Sequence, residues 1–459
     1  MLEVTGIKKE VLKTNEMTRR AAISLVGLFE DIISGIGQWD LVVSECLRRY
    51  GKALPFYKTD TYVRGEINVQ DVQLLLWDLC QSCWGKSVIN PENPLLLGTA
   101  QAIFGLFDDE YEYAPENEQL KTFLDSNDVV DGYWKARCRL EWLLQSSFLN
   151  HRYMSELPDD LDEVKNSEAA KELGVSRAAY YLQIDRLFNF RSNLLSMRTP
   201  EILSAICGLD SDGKIGQMRL LPIFRYVYEG ADKRHLTLRR IVDKELFQVE
   251  IDSFDNLDTK PLTEGVSHVS CSLVNYGSKW YQIGMMTLLP SGRALSEAEM
   301  QEQLQRLGGK NSAEIAEKVR NALGGRSIAV FPSFNELREF VTAVTGISVG
   351  IDGINPKSSF LLATDSKTGI SIGGGLNYCV SLPENLEYDK SRAEKDAISF
   401  FANPDACTYE TSCALQEVGA LPDARLESIR GPEYGRRFLH ENGQFFTDYF
   451  FHRYQGDDL

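Results

Sequence analysis

The sequence lacks any apolar run long enough to cross a lipid bilayer. Its apolar runs, such as Leu74–Trp77 and Leu95–Leu97, are only a few residues long, whereas a membrane-spanning helix needs about 20 apolar residues. The first twenty residues contain no apolar signal core. We therefore expect a cytoplasmic protein that has no contact with membranes.

The sequence also lacks a regular cysteine pattern. Its nine cysteines are an odd number scattered from Cys46 to Cys413, which favours reduced, mostly buried thiols over a disulfide framework. The single C-x-x-C pair, Cys80 and Cys83, lies in an apolar segment with helical character. A zinc site needs four ligands and a thioredoxin-type motif follows a strand, so we predict buried thiols here, no bound metal and no cofactor.

The sequence has fewer cationic than anionic side chains. The chain has 49 Lys and Arg against 66 Asp and Glu, a net charge of −17. A field of that sign repels phosphate backbones, so binding of nucleic acid would depend on a local basic patch. With 459 residues, 43% of them hydrophobic, the chain has a globular composition and is long enough for two or three domains.

The order of the apolar patterns predicts an α+β fold in three parts. Residues 1–221 show helical spacing and form a helical domain; residues 222–290 contain short β-rich runs parted by Gly, Asp and Asn turns and form a small β-barrel or bent sheet. Residues 291–459 form a mixed α/β part. There, Ser296–Glu299 and Ser333–Glu336 are capping boxes that begin helices.

One string, EAAKELGVSRAAYYLQIDRL at residues 168–187, has the spacing of a helix-turn-helix motif. Its second helix carries only two cations, Arg177 and Arg186, although DNA readout needs polar and basic residues on the exposed face. The alternative is a structural turn, in which Gly174 ends one helix and the next turns Tyr180 and Ile184 inward.

A second group of cations lies in the predicted β part, where Arg239 and Arg240 follow Lys233 and Arg234. Such residues are used either on a single-strand-binding surface or in ion pairs at strand edges. A nucleic-acid-associated regulator that uses Arg177, Arg186, Arg239 and Arg240 is therefore one hypothesis for the function.

Our leading hypothesis is different: a non-enzymatic protein that docks a protein partner through its acidic helical part. The candidate partner-binding residues share a carboxylate side chain and lie close together in the chain: Asp108, Asp109, Glu110, Glu112 and Glu116. The alternative is that these charges only solvate a helix face, which is the usual role of a charge run.

No catalytic motif is complete. The two G-x-S-x-G strings, at residues 346–350 and 369–373, are not set between a strand and a helix as a nucleophile elbow requires. We predict that Gly346 caps a helix and that Gly369 belongs to a hairpin turn. A carboxylate-based hydrolase stays open as a further alternative, because acid and base pairs assemble from distant residues and leave no linear motif.

Several stretches, taken together and in order, resemble a family of uncharacterised proteins from Bacteroides-type bacteria. The resemblance rests on Asn68–Trp77, Ile89–Pro91, Glu110–Leu120, Phe247–Phe254, Lys279–Tyr281, Leu382–Asn385, Ala393–Phe401 and Leu421–Ala424. It implies a helical N-terminal part, a small β module and an α/β C-terminal part. It implies no activity, cofactor or catalytic residue.

Overall fold

The structure is a computed structural model. The residues it describes are 7–84, 88–125, 132–167, 170–171, 174–207, 210, 213–254, 257–306, 312–350, 358–365, 369–374, 377–401, 403–404, 407–420, 437–438 and 440–454.

Within the described residues, nine α-helices precede the first strand. They are α1 (Ile7–Ser34), α2 (Gln38–Tyr50), α3 (Val69–Trp84), α4 (Pro94–Glu110), α5 (Glu118–Asp125), α6 (Tyr133–Ser146), α7 (His151–Asn166), α8 (Val175–Asn189) and α9 (Thr199–Cys207). Their apolar faces meet in one large core, which includes Leu28, Val42, Leu75, Trp77 and Leu140. The prediction of a helical N-terminal part is confirmed.

In the described part of residues 220–289 the strands are β1 (Leu220–Ala231), β2 (His235–Arg240), β3 (Leu246–Glu250), β4 (His268–Tyr276) and β5 (Lys279–Leu289). They pair in the order β1-β2-β3-β5-β4 and close on themselves as a barrel. All pairs are antiparallel except β3 with β5, which is parallel and joins Val249 to Trp280. Alternate residues point inward, so that Leu236 and Leu238 of β2 are fully buried while Thr237 is not.

The remaining elements are α10 (Glu297–Arg306), α11 (Ser312–Ala322), β6 (Ile328–Phe331), α12 (Phe334–Thr345), β7 (Phe360–Asp365), β8 (Gly369–Gly374), α13 (Lys390–Phe401), α14 (Tyr409–Glu417) and α15 (Gly443–Phe451). The three strands form an antiparallel sheet in the order β6-β7-β8. Helices α11 and α12 pack on one side of it through Val319 and Leu337. Together with the helical part and the barrel, this sheet confirms the α+β prediction.

The first predicted capping box is complete, and the second forms its serine cap. The Ser296 hydroxyl accepts the backbone N–H of Glu299, and the Glu299 carboxylate accepts the backbone N–H of Ser296. The Ser333 hydroxyl accepts the N–H of Glu336. Backbone and side-chain hydrogen bonds from Ser296 and a side-chain hydrogen bond from Arg293 lower the pKa of Glu299 to about 2. The Glu299 carboxylate therefore stays ionised down to acidic pH.

The last helix does not pack with the C-terminal sheet alone. Phe445, Phe446 and Tyr449 of α15 belong to the same core as the N-terminal helices, and the ring of Tyr449 lies 4.9 Å from that of Trp77 in α3. Residues more than 360 positions apart in the chain thus share one core. The division at residues 221 and 290 stays a prediction.

The helix-turn-helix-like string needs one correction. Gly174 has a left-handed φ of 86° and donates its N–H to Ala170, so a helical turn does end there. Ile184 is buried as predicted, but Tyr180 is 37% exposed, so its predicted inward orientation is wrong. Tyr181, predicted on the same face, does turn inward, and its hydroxyl donates to the carbonyl of Met285 in β5.

The reason is a contact that the sequence did not predict. Helix α8 packs on the barrel at Gly284, where a Cβ would lie 3.2 Å from the Tyr181 ring, and the positive φ of 80° also favours glycine. This approach sets which face of α8 is buried.

Within the described residues, no single helix has the length and hydropathy to cross a membrane, although the bent pair of Met17–Ser34 and Gln38–Tyr50 passes that test jointly.

Candidate functional site

The predicted partner-binding carboxylates lie at the end of α4. The helix begins cleanly, because the Asn93 side chain accepts the N–H of Leu95 and Pro94 occupies the first turn. It ends at Glu110, so Asp108, Asp109 and Glu110 fill its last turn, which contains no basic residue. Glu112 and Glu116 follow in the turn region beyond it, and all five carboxylates are exposed.

This is the unfavourable end of a helix for negative charge. The C-terminal end carries unpaired carbonyls and a partial negative charge, which repels carboxylates and attracts cations. Three carboxylates there reduce the stability of α4, and helix stability alone does not explain them.

The outer face of α4 is apolar except for Thr99, whose hydroxyl donates to the carbonyl of Leu95. Leu95 is 79% exposed and Leu106 65% exposed, and eleven residues bring a helix back to within about 20° of the same direction. Between them on that face lie Gly98 and Ala102, also exposed. Tyr113, just past the helix, is 78% exposed. We call Leu95, Gly98, Ala102, Leu106 and Tyr113, with the five carboxylates, the α4 surface.

The predicted nucleic-acid-binding cations are differently placed. Arg177 is exposed in the first turn of α8. Arg186, on the same helix, pairs with Asp160 of α7 at 2.7 Å. Arg239 of β2 donates through Nε to Glu229 of β1 at 2.7 Å, which is the ion-paired use of strand cations considered above.

Arg240 is part of the barrel structure. Its side chain is only 4% exposed and pairs with Asp243 at 2.7 Å and with Glu245. The guanidinium lies 5.0 Å from the ring centres of both Phe224 and Phe247 inside the barrel, where cation–π contact supplements the ion pairs. It therefore closes one end of the barrel core.

The other motifs have structural roles. Gly346 caps α12 with a φ of 74°, and Gly369 begins β8 of a hairpin, both as predicted. The cysteine prediction is partly wrong, because Cys83 is exposed and Cys80 only partly buried; these residues lie at the end of α3, beyond its most buried stretch. Within the described ranges, no three His, Cys, Asp or Glu side chains are arranged to hold a metal ion.

Sequence reasoning missed a buried polar network around Asp78 of α3. This carboxylate is fully buried and accepts three hydrogen bonds: from His151 Nε2 at 2.9 Å, Asn193 Nδ2 at 2.9 Å and the Tyr449 hydroxyl at 2.6 Å. Burial by itself would raise the pKa of Asp78, but His151 and these donors outweigh it and hold the pKa below its ordinary value. The only local signal was an Asp within an apolar helix.

Two further buried carboxylates have a raised pKa, in contrast to Asp78. Burial raises the pKa of Asp31 to about 6, although its oxygens accept the N–H groups of Gln38 and Trp39. Burial likewise raises the pKa of Asp448 to about 6, where Tyr50, Tyr409 and Gln444 donate to it. Asp31 acts as a cap for the first turn of α2, which is a structural role.

Comparison with known proteins gives a family without an assigned activity. The family model described as "Protein of unknown function (DUF3843)" matches residues 3–201 and 277–452. The unmatched stretch between them holds β1 to β4 of the barrel. No significant match was found among curated proteins or among solved structures. Because the model covers most of the chain, this protein belongs to the family of proteins of unknown function DUF3843.

Proposed function

We propose that this protein is an interaction protein and that its α4 surface docks a basic, amphipathic helical segment of another protein. The observation that carries the proposal is the exposed apolar face of α4, bounded by Leu95 and Leu106, which runs directly into the carboxylates at the helix end. Exposed apolar patches rimmed by charge mark interaction sites.

Helix geometry suggests how the partner would bind. Gly98 and Ala102 lie between the two leucines and allow a second helix to approach α4 closely. Apolar side chains of that helix would cover Leu95 and Leu106, while its Lys or Arg residues would meet Asp109 and Glu110, which project within about 60° of the direction of Leu106. The partner would then neutralise charges that destabilise the free helix end.

A second copy of this chain is a poor occupant of the same surface. It would bring the same carboxylates against those of the first molecule, and each chain carries a net charge of −17. Like charges across an interface cost association energy. We therefore expect no dimer that forms through the α4 surface. If sedimentation of the purified chain shows a dimer, and Leu106→Asp dissociates it, the proposal is contradicted.

The experiment is affinity purification from cells of the source organism with four forms of the full-length chain. These are the wild type, Leu95→Ser/Leu106→Ser, Asp108→Lys/Asp109→Lys/Glu110→Lys, and a control with Asp159→Lys/Glu163→Lys, which reverses exposed charges on α7. We expect one protein to be recovered with the wild type and the control and lost with both α4 variants.

The purified partner should bind more weakly as salt is raised, because exposed charges are screened. Two results would reject the proposal: no protein recovered above background, or a recovered protein whose binding both α4 variants leave unchanged.

Association with nucleic acid stays a second prediction. Of the four candidate cations, it is Arg177 that favours this prediction, because its side chain is exposed. The ion pairs of Arg186, Arg239 and Arg240 weigh against it. A mobility shift that weakens with salt and is reduced by Arg177→Glu would support it; the absence of any shift at low salt would remove it.

A further inference from the structure

A cavity of about 280 Å³ lies between α6, α7 and α8 in the helical part. The buried part of its wall is apolar, because it contains Leu144 of α6 with Ile184 and Leu187 of α8, each 4% exposed or less. The buried ring of Tyr153 of α7 also lines it. Its volume is close to the ~300 Å³ at which ligand-binding cavities begin, and such cavities combine an apolar wall with a few polar groups.

Large apolar side chains from all three helices are exposed around this cavity. Met154 of α7 is 41% exposed and Tyr180 of α8 is 37% exposed, and both line it. On α6, Trp134 is 45% exposed, and its ring centre lies 5.8 Å from the guanidinium carbon of Arg137, which is part of the wall. Single exposed apolar side chains are ordinary, whereas a cluster of them marks a binding site. Tyr180, which lies outside the core, therefore has a place in the wall of this cavity.

The charges of the described lining residues cancel. The charged side chains among them are Arg137 and Glu141, one turn apart on α6, and Nε of Arg137 donates to Glu141 at 3.0 Å. The wall also contains the uncharged amides of Gln145 and Gln183, both exposed. A charged ligand would give up its hydration for an apolar wall that offers no net counter-charge, which costs free energy. An uncharged ligand avoids this cost, and the two amides can donate to its polar group and accept from it.

We propose that this cavity binds a small, uncharged aromatic molecule that carries an amide or a similar hydrogen-bonding group. Its ring would pack against Tyr153 and Tyr180, because aromatic rings favour offset-stacked or edge-to-face contact with one another. Its polar group would lie toward Gln145 and Gln183. The site shares no residue with the α4 surface, and the two proposals are tested separately.

The test is titration of the purified full-length chain with four small probes. Benzamide is uncharged, benzoate and benzamidinium have nearly the same shape with a negative and a positive charge, and cyclohexanecarboxamide keeps the amide without the aromatic ring. We expect calorimetry to show saturable 1:1 binding of benzamide. The two charged probes should bind more weakly by about tenfold or more, and the non-aromatic amide by about threefold or more.

Two pairs of variants locate the site. Met154→Trp adds bulk to an exposed part of the wall, whereas Val175→Trp adds it at a position of α8 that does not line the cavity; the exposed fractions of the replaced side chains are 41% and 45%. Tyr180→Ala removes an aromatic ring from the wall, with Val175→Ala as its control on the same helix. We expect benzamide to bind more weakly by about tenfold or more in Met154→Trp and by about threefold or more in Tyr180→Ala. Both Val175 variants should bind it as the wild type does.

Three results would overturn the proposal: no saturable binding of benzamide at millimolar concentrations, binding of a charged probe or of cyclohexanecarboxamide as tight as that of benzamide, or benzamide binding that Met154→Trp and Tyr180→Ala both leave unchanged. The replaced side chains are all more than one-third exposed, so the variants should keep the thermal midpoint of the wild type. The probe comparison uses the wild-type chain and therefore decides the ligand class even if a variant fails to fold.

Discussion

The α4 surface and the polar network around Asp78 differ in exposure and in how the chain builds them. The α4 surface is negative and convex and comes from one stretch of chain, residues 95–116. The network is buried and joins α3, the start of α7, Asn193 and α15. A site made from neighbouring residues leaves a pattern in the sequence, whereas a site assembled by folding leaves almost none.

The sharpest way to break the assembled region is to remove its central carboxylate. In Asp78→Ala, the His151, Asn193 and Tyr449 side chains lose their common partner in a buried setting. Loss of one member of a buried charged network costs about 3–5 kcal/mol, so we expect the free energy of unfolding in urea to fall by that amount.

The control for this measurement is Asp162→Ala on α7, where the aspartate pairs with Lys165 in an exposed position. Exposed pairs contribute about 0–1 kcal/mol. Equal effects of the two substitutions would show that the network around Asp78 does not hold α3, α7 and α15 together.

A pH measurement sharpens the comparison further. Burial raises the pKa of Asp31 to about 6 in the folded chain from its ordinary value of 3.8, so the folded protein holds this proton more tightly than the unfolded chain does. Its stabilising contribution is complete below pH 3.8 and is lost as the pH rises to 6, a change of about 3 kcal/mol at most.

Asp31→Asn should therefore remove part of the fall in stability between pH 4 and pH 6. The measurement is the free energy of unfolding of the variant and the wild type at several pH values. Asp60→Asn, at an exposed position, should leave the wild-type pH profile unchanged. A variant profile parallel to that of the wild type throughout this range would contradict the assignment to Asp31.

The smallest expected effect concerns the α4 surface. Asp108→Lys/Asp109→Lys/Glu110→Lys places cations at the helix end that favours them, which is worth about 0.5 kcal/mol per position at low salt. We expect the triple variant to have a higher thermal midpoint than the wild type while losing its partner. A lower midpoint would mean that these carboxylates stabilise the free protein.

The sequence predicted the local features well. The capping boxes at Ser296 and Ser333, the hairpin turn at Gly369 and the exposed acids after Asp108 all depend on residues a few positions apart. The misses share another cause. Tyr180 was assigned to the wrong face because the contact between α8 and Gly284 is a tertiary one, and Arg240 was assigned to a surface although the barrel buries it.

The sequence by itself determined the α+β class, the order of the three parts and the acidic end of α4, because periodicity, caps and charge runs act over a few residues. Only the tertiary structure decided that Asp78 meets Tyr449 across the chain, that Tyr153 and Tyr180 line one cavity, and that β1 to β5 close into a barrel. The physical reason is that burial and pairing of distant groups depend on packing, which no short window of sequence contains.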